Sequence, residues 1–237
     1  MIDIQSLIET DKLATLSVNG SDSLFLDGIS DLYTSIFVWI PLAVMAIYMI
    51  IKNVSARRLL AVLFLIVITV VLCDQLSSHV CKPLFMRLRP TRDPEILDMV
   101  DTVDGYHGGL YGFFSGHAAN SFGLAVLFMW IVRDWWFGLS VGIWAMLNSL
   151  IRTYLGVHFL GDIIVGAIAG SLIASMVYWI YRMCVREKSF SQVHIDKYSR
   201  TYTSSGFLRE DISLFLCFQF GTYLSIMIVA CIVRGII

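Results

Sequence analysis

Seven residues of this chain have the types and spacing to work on an anion. They are Lys82 and Arg89 in "KPLFMRLRP", Ser115 and His117 in "FSGH", and Arg152, His158 and Asp162 in "IRTYLGVHFLGD". Three cations, two imidazoles and a carboxylate suit phosphoryl transfer. His158 and Asp162 are four residues apart, so on a helix they share a face. A carboxylate that holds one ring nitrogen leaves the other free to attack phosphorus. Ser115 is a good N-cap, and Gly116 lets another group approach the backbone closely. The free amides of a helix's first turn, at the positive end of its dipole, bind phosphate. His117, at the edge of that anion site, is placed to protonate the leaving group. Lys82, Arg89 and Arg152 can spread the equatorial charge of the transition state. The chemistry read here is a two-histidine transfer through a phosphohistidine. The cations are built in, so it calls for no metal and no cofactor.

The elements that must carry these residues are membrane helices. The 237 residues are 57% hydrophobic and only 15% charged, and mean hydropathy is strongly positive. Six stretches, roughly 33–51, 59–81, 116–132, 136–157, 160–181 and 212–233, approach the ~20 apolar residues a bilayer core requires. The fold class is therefore all-α: a polytopic membrane helical bundle of about six transmembrane helices forming one domain over residues 1–237. Residues 1–32 do not span; their apolar positions repeat at helical spacing and predict an N-terminal interfacial helix, with "NGSDS" as a turn after it. The catalytic motifs occupy residues 82–162. Net charge near zero offers no field for nucleic acid. The five cysteines lack CxxC spacing and read as packing residues.

Charge fixes the expected topology. Lys52, Arg57 and Arg58 lie between the first two spans, and Arg133 follows the third. Arg182, Arg186, Lys188, Lys197, Arg200 and Arg209 follow the fifth. Alternation puts all ten on one side, which the positive-inside rule makes cytoplasmic. The three motifs then share the opposite face. Charge is costly near the bilayer, so residues clustered there have local work to do.

Several residues have weaker claims. Arg87 and Arg92 flank the first motif as possible substrate contacts, and His107 in "GYHGG" is a third. Asp74, eight residues before Lys82, either tunes that lysine or belongs to a polar helix end. The segment "TRDPEILDMVDTVDG" is acidic and reads first as a solvated face. His79 and His194 have no partner pattern.

At these residues the chain resembles the type 2 phosphatidic acid phosphatase superfamily, whose signature is K-x6-RP, PSGH and SR-x5-H-x3-D. Lys82, Arg89 and Pro90 match the first part, Ser115 to His117 the second, and Arg152, His158 and Asp162 the third. Phe114 stands where the family usually has proline, and Ile151 where it usually has serine. The resemblance implies a six-helix membrane enzyme with His158 as nucleophile, Asp162 as its orienting partner and His117 as acid. Lys82, Arg89, Ser115, Gly116 and Arg152 would hold the phosphate. It implies a phosphorylated membrane lipid as substrate: phosphatidic acid, phosphatidylglycerol phosphate, an isoprenyl pyrophosphate or a lipid A phosphate. The expected setting is a bacterial inner membrane with the active site facing the periplasm. A lipid phosphotransferase with the same histidines is the near alternative. A phosphate-lipid transporter is the distant one, since it would carry its charges near the bilayer midplane rather than at span ends.

Overall fold

The computed structural model describes residues 3–21, 23–185, 194–195 and 200–236. Ile2, Asp22, Arg186, Lys188, Lys197 and the side chain of His194 lie outside the described residues. The chain forms α1 (Ile4–Val18), α2 (Leu24–Thr34), α3 (Ile36–Asn53), α4 (Ala56–Phe85), α5 (Gly116–Val132), α6 (Trp135–Tyr154), α7 (Leu160–Cys184) and α8 (Arg209–Val233). A two-residue hairpin pairs His194–Ile195 with Thr201–Tyr202. Among the described residues, α3, α4, α7 and α8 are long and apolar enough to cross a membrane, and α5 is a shorter apolar helix.

The all-α membrane bundle expected from the sequence is what forms, with two shifts in its boundaries. The first span begins at Ile36 rather than near residue 33, because Leu24–Thr34 makes a separate helix. Ser23 starts that helix by accepting from the Leu26 amide. The second span runs on to Phe85, its polar end continuing through a π-helical turn at Gln75–Cys81. There Lys82 Nζ donates to Ser78 Oγ, which donates to Asp74, at 3.4 Å each. Asp74 thus reaches the lysine through one hydroxyl.

Helix α5 is central, packed against α4, α6 and α7, while α2 and α3 pack on α8. The α5–α7 pair is the closest. Gly166 and Gly170 of α7 present bare backbone to Ser115, Ala118 and Ala119 of α5. A Cβ at Gly170 would lie 2.0 Å from the Ala119 carbonyl oxygen. Small residues one turn apart let two membrane helices approach in this way. The pair matters because α5 begins at Ser115 and α7 begins just after His158. At the other end of the bundle, Lys52 and Asn53 of α3 bind Asp211 of α8 at 2.6 and 2.8 Å. The chain turns from α6 to α7 at Gly156, whose φ of +69° suits glycine.

Candidate active site

The three motifs meet at one end of the bundle, where α4 ends, α5 and α7 begin, and α6 ends. Ser115 caps α5, its Oγ accepting from the Ala118 amide at 3.3 Å and its own amide donating to the Asp162 carbonyl at 3.1 Å. Ser77 of α4 donates to the Phe114 carbonyl at 2.8 Å. Phe114, in the proline position of the family pattern, is buried beside Cys73 and Ala119. A Cβ on Gly116 would lie 4.0 Å from Lys82 Nζ, so the lysine stands beside the bare backbone of α5's first turn. Ile151, in the serine position, packs against Val103, Leu155 and Val157.

His158 and Asp162 are almost fully buried, at 2% and 0% exposure. His158 Nδ1 lies 3.3 Å from Asp162 Oδ2. Its Nε2 lies 3.4 Å from Arg89 Nη1. A carboxylate only accepts and a guanidinium only donates, so the ring proton belongs on Nδ1 and the unprotonated Nε2 turns its lone pair toward Arg89. Burial pushes this imidazole below its ordinary value, with Asp162 pulling the other way. Arg89 is held by the Tyr111 and Val157 carbonyls at 3.2 and 3.0 Å. Arg152 is buried, and among the described residues its guanidinium has no hydrogen-bond partner, Nε included. His117 is exposed, with Arg152, Arg89 and Lys82 as its cationic neighbours and His158 nearby. The arrangement gathers a buried imidazole and three cations beside a helix N-terminus.

The weaker candidates separate. Arg87 is engaged by two carboxylates and a ring. Its Nη1 donates to Asp162 Oδ1 at 2.9 Å, its Nη2 to Asp11 at 2.7 Å, and it lies over the Phe159 ring. Residues 87–89 are extended and pair with 110–112 through the Leu88–Tyr111 bridge. Residues i and i+2 of an extended segment share a face. Arg87 and Arg89 therefore point the same way, one to each member of the His158–Asp162 pair. Arg92 and His107 are exposed, and among the described residues neither side chain bonds to the cluster. His107 contributes a carbonyl that accepts from Thr91. The acidic loop is not simply solvated. Asp93 and Glu95 pair with Lys12 at 2.9 and 2.6 Å, and Asp104 pairs with Arg234 at 2.9 Å.

Two features escaped the sequence reading. Gly112 lies against the pair: a Cβ there would come within 2.8 Å of Asp162 Oδ2. Its only sequence signal is a glycine just ahead of the "FFSGH" stretch. Helix α1 also reaches the site through Asp11 and Thr15, and no local signal marks either residue.

The chain matches the PAP2 superfamily over residues 58–186, which span all three motifs. It belongs to that superfamily and is a membrane lipid phosphatase. A lipid A 4'-phosphatase of Bacteroides thetaiotaomicron is 37% identical over 196 residues, covering 81% of this chain and 86% of the relative. A lipid A 4'-phosphatase of Porphyromonas gingivalis is 33% identical over 180 residues, 75% of each chain. In fold the chain is similar to the crystal structure of a transmembrane PAP2-type phosphatidylglycerolphosphate phosphatase from Bacillus subtilis. The TM-score is 0.53 at 22% identity, covering 77% of this chain and 88% of that one.

Proposed function

We propose that this enzyme removes a phosphate from lipid A through a phosphohistidine, at the periplasmic face of a bacterial inner membrane. The observation that carries the chemistry is His158, with its Nδ1 on Asp162 and its unprotonated Nε2 facing Arg89. Nε2 attacks phosphorus and the bond to the sugar oxygen breaks. Protonated His117 gives its proton to that oxygen as it leaves. Asp162 retains the Nδ1 proton and offsets the positive charge on the phosphorylated ring. His117, now neutral, takes a proton from a water that attacks phosphorus. Inorganic phosphate leaves and His158 returns to its starting state. Arg89, Arg152, Lys82 and the first amides of α5 hold the equatorial oxygens. Arg152 fits this role because its buried Nε has no hydrogen-bond partner among the described residues.

The choice of lipid A is supported by the two relatives whose names carry that substrate. The periplasmic face is supported by the basic residues gathered at the opposite ends of the helices. The test is phosphate release by purified protein in EDTA from lipid A, phosphatidic acid, phosphatidylglycerol phosphate and undecaprenyl pyrophosphate. Lipid A is expected to react fastest. Labelled substrate should leave an acid-labile, alkali-stable phosphoenzyme that is absent from His158→Ala. Full activity in that variant would overturn the mechanism. A faster reaction with another lipid would overturn the substrate.

A further inference from the structure

Helix α7 begins with Phe159, whose side chain cannot cap it. The first amides of a helix need acceptors, and buried ones are costly to leave bare. Two of them find acceptors on α1, about 150 residues away. Thr15 Oγ1, fully buried, accepts from the Leu160 amide at 3.0 Å. Asp11 Oδ1 accepts from the Gly161 amide at 2.8 Å. The other oxygen of the same carboxylate binds Arg87 Nη2 at 2.7 Å, and Arg87 Nη1 binds Asp162 Oδ1 at 2.9 Å. Gly161 makes room: a Cβ there would lie 2.7 Å from Asp11 Oδ2. Helix α1 is itself fastened at three further points. Lys12 binds Asp93 and Glu95, Asn19 takes the Asp101 carbonyl and amide, and Asn19 also donates to the Tyr154 carbonyl at 2.8 Å.

From this geometry we infer that Asp11 is a positioning residue of the active site: it caps α7 and clamps Arg87 against Asp162, and so sets the orientation of His158. The inference rests on His158 being the nucleophile. Asp162 uses one oxygen for Arg87 and the other for His158 Nδ1 and the Phe159 amide. A single carboxylate on α1 therefore fixes both the helix that carries Asp162 and the cation that holds it. Without the Asp11 charge, Arg87 would be balanced by Asp162 alone and would draw that carboxylate toward itself, away from the ring. The N-terminal helix is thus a working part of the catalytic end rather than a surface attachment.

The test is Asp11→Asn, which keeps an oxygen for the Gly161 amide and removes the charge that holds Arg87. Residues that orient a reacting group from behind it are typically worth 10–100-fold in activity. The expected loss is about tenfold or more, in kcat with KM little changed, and with slower phosphoenzyme formation. Glu9→Gln, which removes an exposed charge from the same helix, should leave both constants unchanged. The double variant Asp11→Asn/Arg87→Gln should be no slower than Arg87→Gln alone, because both act through one pair. Both Arg87→Gln and the double variant deprive Asp162 of its guanidinium, so that loss cancels in the comparison, which serves even where Asp11→Asn alone folds poorly. Wild-type kcat in Asp11→Asn would overturn the inference, as would losses that add in the double variant or a loss confined to KM. His158→Ala is run alongside. If it is active, the nucleophile assignment has failed; if it is dead while Asp11→Asn is fully active, this inference alone has failed.

Discussion

Gly170→Ala tests whether the α5–α7 contact sets the catalytic geometry. The added Cβ would sit 2.0 Å from the Ala119 carbonyl oxygen and 2.8 Å from its carbon, and real Cβ contacts essentially never fall under 3.0 Å. Backbone cannot swing aside as a side-chain tip can, so the two helices must part by about 1 Å at this point. Helix α5 carries Ser115 and His117, and α7 carries Asp162. Gly170 lies eight residues beyond Asp162, about 12 Å along the helix at ~1.5 Å per residue. A shift there reaches the motif as a change in the distance between His117 and His158. A misplacement of about 1 Å can cost on the order of 10²-fold in rate. Overpacking of this kind also costs about 1–3 kcal/mol of stability. The expected result is a kcat about 10–100-fold down, with a lower unfolding temperature in detergent. Gly166→Ala should act similarly, since its Cβ would meet the Ser115 carbonyl at 2.6 Å. Gly221→Ala on α8, with nothing within 4 Å, should match the wild type. The assay is phosphate release at saturating lipid, with thermal unfolding measured on the same samples. A destabilised Gly170→Ala protein with wild-type kcat would refute the reasoning, because the contact would then hold the bundle without setting the site.

Three further outcomes follow from the site. Asp162→Asn keeps the shape but gives up the charge that holds the Nδ1 proton and pairs with Arg87, so phosphate release should fall on the order of 10³–10⁴-fold; a loss under tenfold would remove Asp162 from the mechanism. Arg152→Met should lower kcat/KM by about 10²-fold while the unfolding temperature holds or rises, because no hydrogen bond to the Arg152 side chain is lost among the described residues; a clear drop in unfolding temperature would make Arg152 structural. The third outcome concerns pH. Burial lowers the His158 value, so its neutral, attacking form persists further into acid than for a free imidazole. With a phenolic leaving group that needs no acid, the rate of phosphoenzyme formation should therefore stay level below about pH 6.5 and fall only further down. An acid limb at or above that pH would contradict the burial of His158.

What could be read from the sequence was what is local. Ser115 before an apolar run reads as a cap, and it is one. The four-residue spacing of His158 and Asp162 predicts that they share one helix face; His158 instead stands in the turn before α7, and Asp162 in the first turn reaches back to its ring and to the Phe159 amide. The pairing of Arg87 and Arg89 could not be read. Both are arginines at the same span end, and composition treats them alike. Only the Leu88–Tyr111 bridge, between segments joined by a long loop, turns one toward the carboxylate and the other toward Nε2. The acidic loop fails for the same reason. Its partners Lys12 and Arg234 come from opposite ends of the chain, so charge counting along the sequence saw only acid.

The same distinction explains how the site is built. The residues proposed to touch phosphate lie in three short motifs, each weak alone and readable through their conjunction. The groups that fix their orientation are drawn from elsewhere: Asp11 and Thr15 from α1, Gly166 and Gly170 from deep in α7, and Gly112 from the loop. Burial beside a guanidinium favours the neutral ring of His158, and the ring stays directed because Asp162 is held from its far side by Arg87. Moving the carboxylate costs more than removing one phosphate contact, since it releases the ring, Arg87 and the start of α7 together. Asp162→Asn should accordingly be the most damaging of the substitutions named here that leave His158 in place, and Arg152→Met, which frees no other group, should lose activity without losing the fold.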